Sequence, residues 1–355
     1  MCAKVTLLCV RRLGMLCGEN GQEEKNGQNL LLHTISIGSI QTQPDNVYWP
    51  LEPMKAVVAD RLTKVYPGGK RALDGVSFSI KEGGIFGFLG PNGAGKTTAV
   101  KLLNGMLQAT EGSCGVFDID PGRSPEGVHA MSGVVTEKAQ MYNNLTGLQN
   151  LTFFGTMFGV EGDKGKRRAL ELLERLELLH AKDQKLSAYS TGMRQRLSLA
   201  RAMIHQPRIL FLDEPTSGLD PESAQNVNNL IKNLATEKGT TVFLCTHQLR
   251  YAEEICTEYG LISEGSILAL GSLDELRSLV FSGMTVTIRA DTYPQGLQLR
   301  REGEFALVDV DSQEEIPLLI KRIVDGGGKV YHVTAQRLSL EEIYFSLIER
   351  RKGAA

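Results

Sequence analysis

Apolar and polar positions change their rhythm several times along the chain. Residues 1 to 53 sustain no period and are rich in Gln, Asn and Gly, so they are expected to be an extension that is either disordered or a start-site artefact, with Met54 as the natural start. Val57-Val58-Ala59, then Leu62 and Val65, open a strand-rich region. Apolar runs then alternate with helical patterns: Ile85 to Leu89 before Lys96 to Leu107, Ile209 to Leu212 before Pro221 to Leu234, and Val242 to Cys245 before Leu249 to Cys256. Continuous apolar runs suit strands buried on both faces, which predicts an α/β fold with its sheet between helices. From about Thr146 to Ala188 the pattern is wholly helical, with Leu172, Leu173, Leu176 and Leu179 at helical spacing amid Glu and Arg, as in a helical insert.

After about Gly283 a smaller α+β module is expected over residues 284–352. Thr285 to Ile288 alternates, Phe305 to Val310 gives a second strand, Ile316, Ile320 and Ile323 share a helical face, and Gly326 to Gly328 break the chain before a strand at Val330 to Val333. Ser339 and Glu342 form a capping box ahead of Leu340, Ile343, Tyr344, Leu347 and Ile348, the stripe of a packed helix.

The chain has 355 residues with 42% hydrophobic content, enough for about two domains. With 39 basic and 41 acidic side chains the net charge is −2, so nucleic acid is not an expected partner. No apolar run approaches the ~20 residues needed to cross a bilayer. Cys2, Cys9 and Cys17 crowd one end while Cys114, Cys245 and Cys256 are scattered, without disulfide or zinc spacing, which suits a reducing setting. Arg11 and Arg12 directly after Val5 to Val10, with no small-residue cleavage site, argue against a signal peptide.

Chemistry enters with Gly90-Pro91-Asn92-Gly93-Ala94-Gly95-Lys96-Thr97, which matches G-x-x-x-x-G-K-[ST] between a strand and a helix. Its glycines let backbone N–H groups face phosphate oxygens, Lys96 adds a positive charge, and Thr97 offers a hydroxyl to Mg²⁺; Thr98 follows in the same turn. Downstream, Ile209 to Leu212 ends in Asp213-Glu214. Asp213 suits the Mg²⁺ environment, and Glu214 is placed to accept a proton from an attacking water. A helix-capping acidic pair before Pro215 is the bland alternative.

Together with Tyr189-Ser190-Thr191-Gly192-Met193-Arg194-Gln195-Arg196, these residues resemble the ATP-binding cassette (ABC) family, whose signature motif this stretch approximates. Met54 to about residue 280 is similar to one cassette. The variant signature and the C-terminal module ending in Ser-Leu-Glu-Glu are similar to ATP-binding subunits of drug- and antibiotic-exporter type. The resemblance implies a P-loop NTPase (RecA-like) core with an antiparallel β subdomain and a helical subdomain at about 140–200, plus the small C-terminal α+β domain. It implies ATP and Mg²⁺ as ligands, Tyr66 as the adenine-stacking aromatic, and His247 as a γ-phosphate contact. Asp220 becomes part of the loop between two cassettes, besides being an N-cap before Pro221. Ser190 and Gly192 serve the nucleotide of the opposite cassette, so a homodimer, or a heterodimer with another ATPase subunit, is implied. Where the family usually has glutamine, alignment of Gly133 to Thr136 puts Glu137, which can ligate Mg²⁺ but adds negative charge and has no amide N–H to donate.

The function so implied is that of an ATP-hydrolysing subunit that dimerises around two ATP molecules and powers a separate integral-membrane permease from its cytoplasmic face. Tyr142, Leu145, Leu148 and Leu151 are candidates for docking on that permease or, equally, members of the subdomain core. The alternative is a soluble cassette ATPase acting on ribosomes or DNA, against which stand a single phosphate loop and no extended heptads.

Overall fold

A computed structural model describes residues 54–136, 141–281 and 283–353. The expected extension over residues 1–53 and the candidate metal ligand Glu137 lie outside the described residues. The chain runs through β1 (Lys55–Val65), β2 (Arg71–Lys81), β3 (Ile85–Leu89), α1 (Lys96–Leu103), β4 (Glu111–Val116), α2 (Pro125–Met131) and β5 (Ser132–Val135). Three helices follow, α3 (Gly147–Met157), α4 (Gly162–Arg175) and α5 (Thr191–Met203), then β6 (Ile209–Asp213), α6 (Pro221–Lys238), β7 (Thr241–Thr246), α7 (Leu249–Ile255), β8 (Glu258–Ser263), β9 (Ser266–Gly271) and α8 (Leu273–Val280). The last part is β10 (Met284–Ala290), β11 (Arg300–Glu302), β12 (Phe305–Val310), α9 (Glu315–Asp325), β13 (Val330–Gln336) and α10 (Leu340–Gly353).

The apolar runs read from sequence become the middle of a six-stranded sheet of order β5-β6-β7-β3-β8-β9, parallel except for β9. Successive side chains point to opposite faces, and both faces are covered. Phe86, Phe88, Phe211 and Phe243 face the antiparallel sheet β2-β1-β4, where Phe78 joins them with ring centroids 5.5–5.9 Å from Phe86, Phe88 and Phe243. Ile85, Leu210, Leu212, Val242 and Leu244 face the other way, onto buried residues of α4, α5 and α6. Burying such a side chain contributes roughly 1.5–3 kcal/mol.

Helix ends differ from the periodicity, and α6 runs on to Lys238 rather than ending at Leu234. The helix after the phosphate loop stops at Leu103 rather than Leu107, because Gly105 turns left-handed (φ 68°) where a Cβ would lie 2.3 Å from the Pro121 carbonyl. Glu177, also left-handed (φ 57°), follows the end of α4, so Leu178 takes the buried place and Leu179 faces solvent.

The helical insert is entered through a complete capping box, Thr146 with Gln149, of a kind worth about 1 kcal/mol. Buried Asn150 donates to the carbonyls of Tyr142 and Thr146 at 3.1 and 3.0 Å, fixing the preceding loop. Leu151 is core, Leu148 packs against that core, and Tyr142 is exposed.

Strands β11-β12-β10-β13 make a separate antiparallel sheet whose inner face, Val286, Ile288, Val308 and Val310, meets Leu319 and Ile323 of α9. Leu319, rather than Ile320, completes that helical face. The expected capping box closes, with Ser339 N–H and hydroxyl donating to Glu342 and the Glu342 N–H returning to Ser339. The stripe of α10 leaves this sheet: Leu340, Ile343 and Tyr344 pack with Leu89, Ala252, Tyr259, Leu261 and Leu276 of the cassette.

Candidate active site

The register of the parallel sheet brings three strand ends together. Leu89 pairs with Thr246 and Asp213 with Cys245, so the residues after β3, β6 and β7 meet at the carboxyl edge, where α/β folds gather ligands.

Gly90 leaves β3 so close to β8 that a Cβ would lie 2.1 Å from the Ile262 carbonyl. Gly95 enters α1 at φ 111°, where a Cβ would lie 2.4 Å from the Ala72 carbonyl. The loop of Gly90, Pro91, Asn92, Gly93, Ala94 and Gly95 is therefore held at both ends by backbone contact that only glycine permits. It delivers Lys96, Thr97 and Thr98 as the first turn of α1, whose amino end carries the positive pole of the helix. Buried Lys96 donates from Nζ to the carbonyls of Gly90 and Pro91 at 2.6 and 3.2 Å.

Asp213, the last residue of β6, accepts at Oδ2 from Thr97 Oγ1 at 2.7 Å. Glu214 adopts a left-handed backbone (φ 51°), uncommon for a residue with a side chain, and its N–H donates to the Cys245 carbonyl at 2.9 Å. This turn aims the carboxylate at the end of β7. There Oε2 accepts from Thr246 Oγ1 at 2.9 Å, while Oε1 accepts from the His247 N–H at 3.0 Å and from His247 Nδ1 at 2.9 Å. Lys96 Nζ stands 3.5 Å from the same Oε1, and both partners are at most 10% exposed. Behind them, burial and nearby Asp213 push the Cys245 thiol well above its ordinary range, so it stays protonated.

Tyr66, half-buried, lines the same cleft of about 200 Å³ and shares a 3.3 Å hydroxyl contact with Thr98. Lys70 also lines it and was not expected from sequence. Thr246 was not expected either, because its contact with Glu214 depends on how β6 and β7 pair.

Ser190, Gly192 and Asp220 gather elsewhere. Ser190 caps α5 by accepting the Met193 N–H at 3.2 Å. Asp220 caps α6, accepting from the Ser223 N–H and hydroxyl at 2.9 and 2.7 Å, bonds that hold its carboxyl below the usual range. A Cβ on Gly192 would lie 3.5 Å from Leu219, so the two caps are neighbours. None of the three lines the Lys96 cleft. A larger groove of about 710 Å³ runs between the helical insert and the core, lined by Met106, Phe154, Met157 and Phe158, and reaches Thr97 and Asp213.

A family model described as ABC transporter matches residues 73–217. The daunorubicin resistance ATP-binding protein DrrA2 of Streptomyces coeruleorubidus is 36% identical over 310 residues, 83% of this chain and 96% of that protein. The daunorubicin/doxorubicin resistance ATP-binding protein DrrA of Streptomyces peucetius is 34% identical over 285 residues, 73% of this chain and 86% of that protein. Among solved structures, the ATP-binding cassette MJ0796, a dimer in a post-hydrolysis state bound to ADP and Pi, superposes with a TM-score of 0.57 at 28% identity, covering 61% of this chain and 98% of that one.

Proposed function

The chain belongs to the ABC transporter family as an ATP-binding, ATP-hydrolysing subunit, and from that premise we propose that it is the engine of an exporter, paired with a second cassette around two ATP molecules and acting on a separate membrane permease. The observation that carries the reading is the convergence of Lys96, Thr97, Asp213 and Glu214 in one cleft, with Lys96 Nζ 3.5 Å from Glu214 and Thr97 2.7 Å from Asp213.

In this reading the loop from Gly90 to Thr98 holds the phosphates, Lys96 offsets their charge, and Tyr66 stacks on the adenine, an interaction worth roughly 1–3 kcal/mol in nucleic-acid binders. Glu214 accepts the proton of the attacking water while His247 keeps the carboxylate aimed and contacts the terminal phosphate. Thr97 and Asp213 present two hard oxygens, a donor set that suits Mg²⁺. Among the described residues no group of three or more His, Cys, Asp or Glu could hold a metal alone, which fits an ion that takes its other ligands from phosphate and water. When bound, Mg²⁺ neutralises charge on the phosphate oxygens. Glu137 is proposed as a further metal ligand.

Ser190, Gly192 and Asp220 lie outside the cleft of their own chain, which supports a dimer in which they serve the partner's nucleotide, as a homodimer or with a related subunit. Among the described residues no helix is long and apolar enough to cross a membrane. The apolar groove beside α3, with exposed Tyr142, Phe153 and Met157, is the proposed permease seat, placing the protein peripherally on the cytoplasmic face. Relatives named as drug-resistance ATP-binding proteins support export; a ribosome- or DNA-directed role is not favoured, and no nucleic-acid partner is proposed. Isolation of the native membrane complex tests the reading: a co-purifying multi-span protein is expected, and ribosomes in its place would overturn it.

A further inference from the structure

We propose that Thr246 is a positioning residue for hydrolysis: its hydroxyl occupies one oxygen of the Glu214 carboxylate and so holds the other at Lys96 and His247. The inference rests on the reading of Glu214 as the base. Glu214 Oε2 accepts from Thr246 Oγ1 at 2.9 Å, and Oε1 accepts from the backbone N–H and Nδ1 of His247 at 3.0 and 2.9 Å. A terminal carboxylate torsion is broad and roughly two-fold, so a carboxylate held at only one oxygen can turn. Here both oxygens are held.

The hydroxyl of Thr246 has no freedom of its own. It carries a single proton and accepts through its lone pairs. The Gln248 N–H donates to Thr246 Oγ1 at 3.1 Å, and that backbone group can only donate. The hydroxyl proton is thereby left for Glu214. Thr246 is 3% exposed at the end of β7, where its carbonyl also accepts the Gly90 N–H at 3.4 Å. One residue thus joins the first glycine of the phosphate loop, the base, and the turn into α7. A purely structural threonine at this buried strand end would be replaced by valine, of the same shape, without consequence for the carboxylate.

The test compares T246V and T246S in steady-state ATP hydrolysis, alone and with E214Q. A hydrogen bond to a charged group corresponds to about 10- to 100-fold in rate. T246V is expected to lose kcat by that factor with KM for ATP within about threefold. T246S should recover most of the loss, and T246V should cost nothing further in the E214Q background. Equal rates for T246V and T246S overturn the inference, as does a T246V variant whose rate falls only together with its ATP affinity. E214Q hydrolysing at the wild-type rate overturns the base assignment itself, whereas a slow E214Q beside a fully active T246V overturns Thr246 alone.

Discussion

Glu214 Oε1 receives two hydrogen bonds from the same residue, the backbone N–H of His247 at 3.0 Å and its Nδ1 at 2.9 Å. Because a carboxylate oxygen only accepts, Nδ1 must carry the proton, which leaves Nε2 as the atom turned away from Glu214. His247 therefore holds the carboxylate with one edge, and its side chain, 43% exposed, lines a neighbouring pocket shared with Gly90, Pro91, Asn92 and Tyr344.

Replacing that ring should leave the carboxylate less well aimed, since the His247→Ala backbone N–H remains while the ring donor is lost. We expect kcat to fall by about 100-fold, within the range for displaced acid–base groups, with ATP affinity changed only a few-fold. The double variant H247A/E214Q should be no slower than E214Q, because the two residues act as one unit. Single-turnover hydrolysis measures both.

Lys96 and Glu214 form a buried pair, and removing one member of such a pair leaves the other uncompensated, at a typical cost of about 3–5 kcal/mol. The remaining donors on Glu214 from Thr246 and His247 reduce this, so K96A is expected to lose about 1–3 kcal/mol of stability in denaturant unfolding without nucleotide, and to lose ATP binding as well. Adding E214Q to K96A should restore part of the stability but none of the binding. A K96A variant as stable as wild type would mean that Glu214 does not feel the ammonium.

How much of this was legible in sequence follows from what each feature depends on. The phosphate loop is contiguous, so residues 90–97 display it entirely. Asp213 and Glu214 were legible because they close an apolar strand. Thr246 was not, because its contact with Glu214 arises from the pairing of Asp213 with Cys245 across β6 and β7, and register is not written in either strand alone. The α10 stripe was equally plain, but a stripe shows only that a helix packs, not on what; here the partner is α7, α8 and β8 rather than the nearby four-stranded sheet. Leu179 was misread for a local reason, since 3.6-residue periodicity carries no sign of the left-handed Glu177 that follows α4.

His205 makes stability fall with acidity. Its ring stacks on Phe158 at 4.0 Å, its Nε2 meets the Ser132 carbonyl at 3.0 Å, and its Nδ1 is buried without a hydrogen-bond partner. Desolvation lowers its pKa below 6.5, against a smaller opposing effect of the Ser132 bond. Below pH 6.5 the unfolded chain then binds the proton more readily than the folded one, so the His205 contribution is whole above that pH and is lost as pH falls through the lower folded value. H205Q, which keeps a donor for Ser132 without titrating, should flatten the decline of the denaturant midpoint between about pH 6.5 and 5. Parallel curves for the two proteins would show that His205 does not contribute.

The last helix should behave as part of the cassette. Ile343 and Leu340 are fully buried against Leu89, Tyr259 and Leu276, and Glu253 of α7 accepts the Leu340 N–H at 2.9 Å while pairing with Arg277, whose Nε donates to the Leu338 carbonyl at 2.8 Å. Leu89 is the residue that leads into the phosphate loop, so this packing reaches the site through β3. Truncating a buried isoleucine costs about 2–5 kcal/mol, and I343A is expected to lose that amount in the transition that unfolds the cassette. L319A, in the core between α9 and the four-stranded sheet, should act on that sheet instead and leave ATP-induced stabilisation intact. If I343A shifts only the transition that L319A shifts, α10 belongs with the small sheet and not with the nucleotide-binding core.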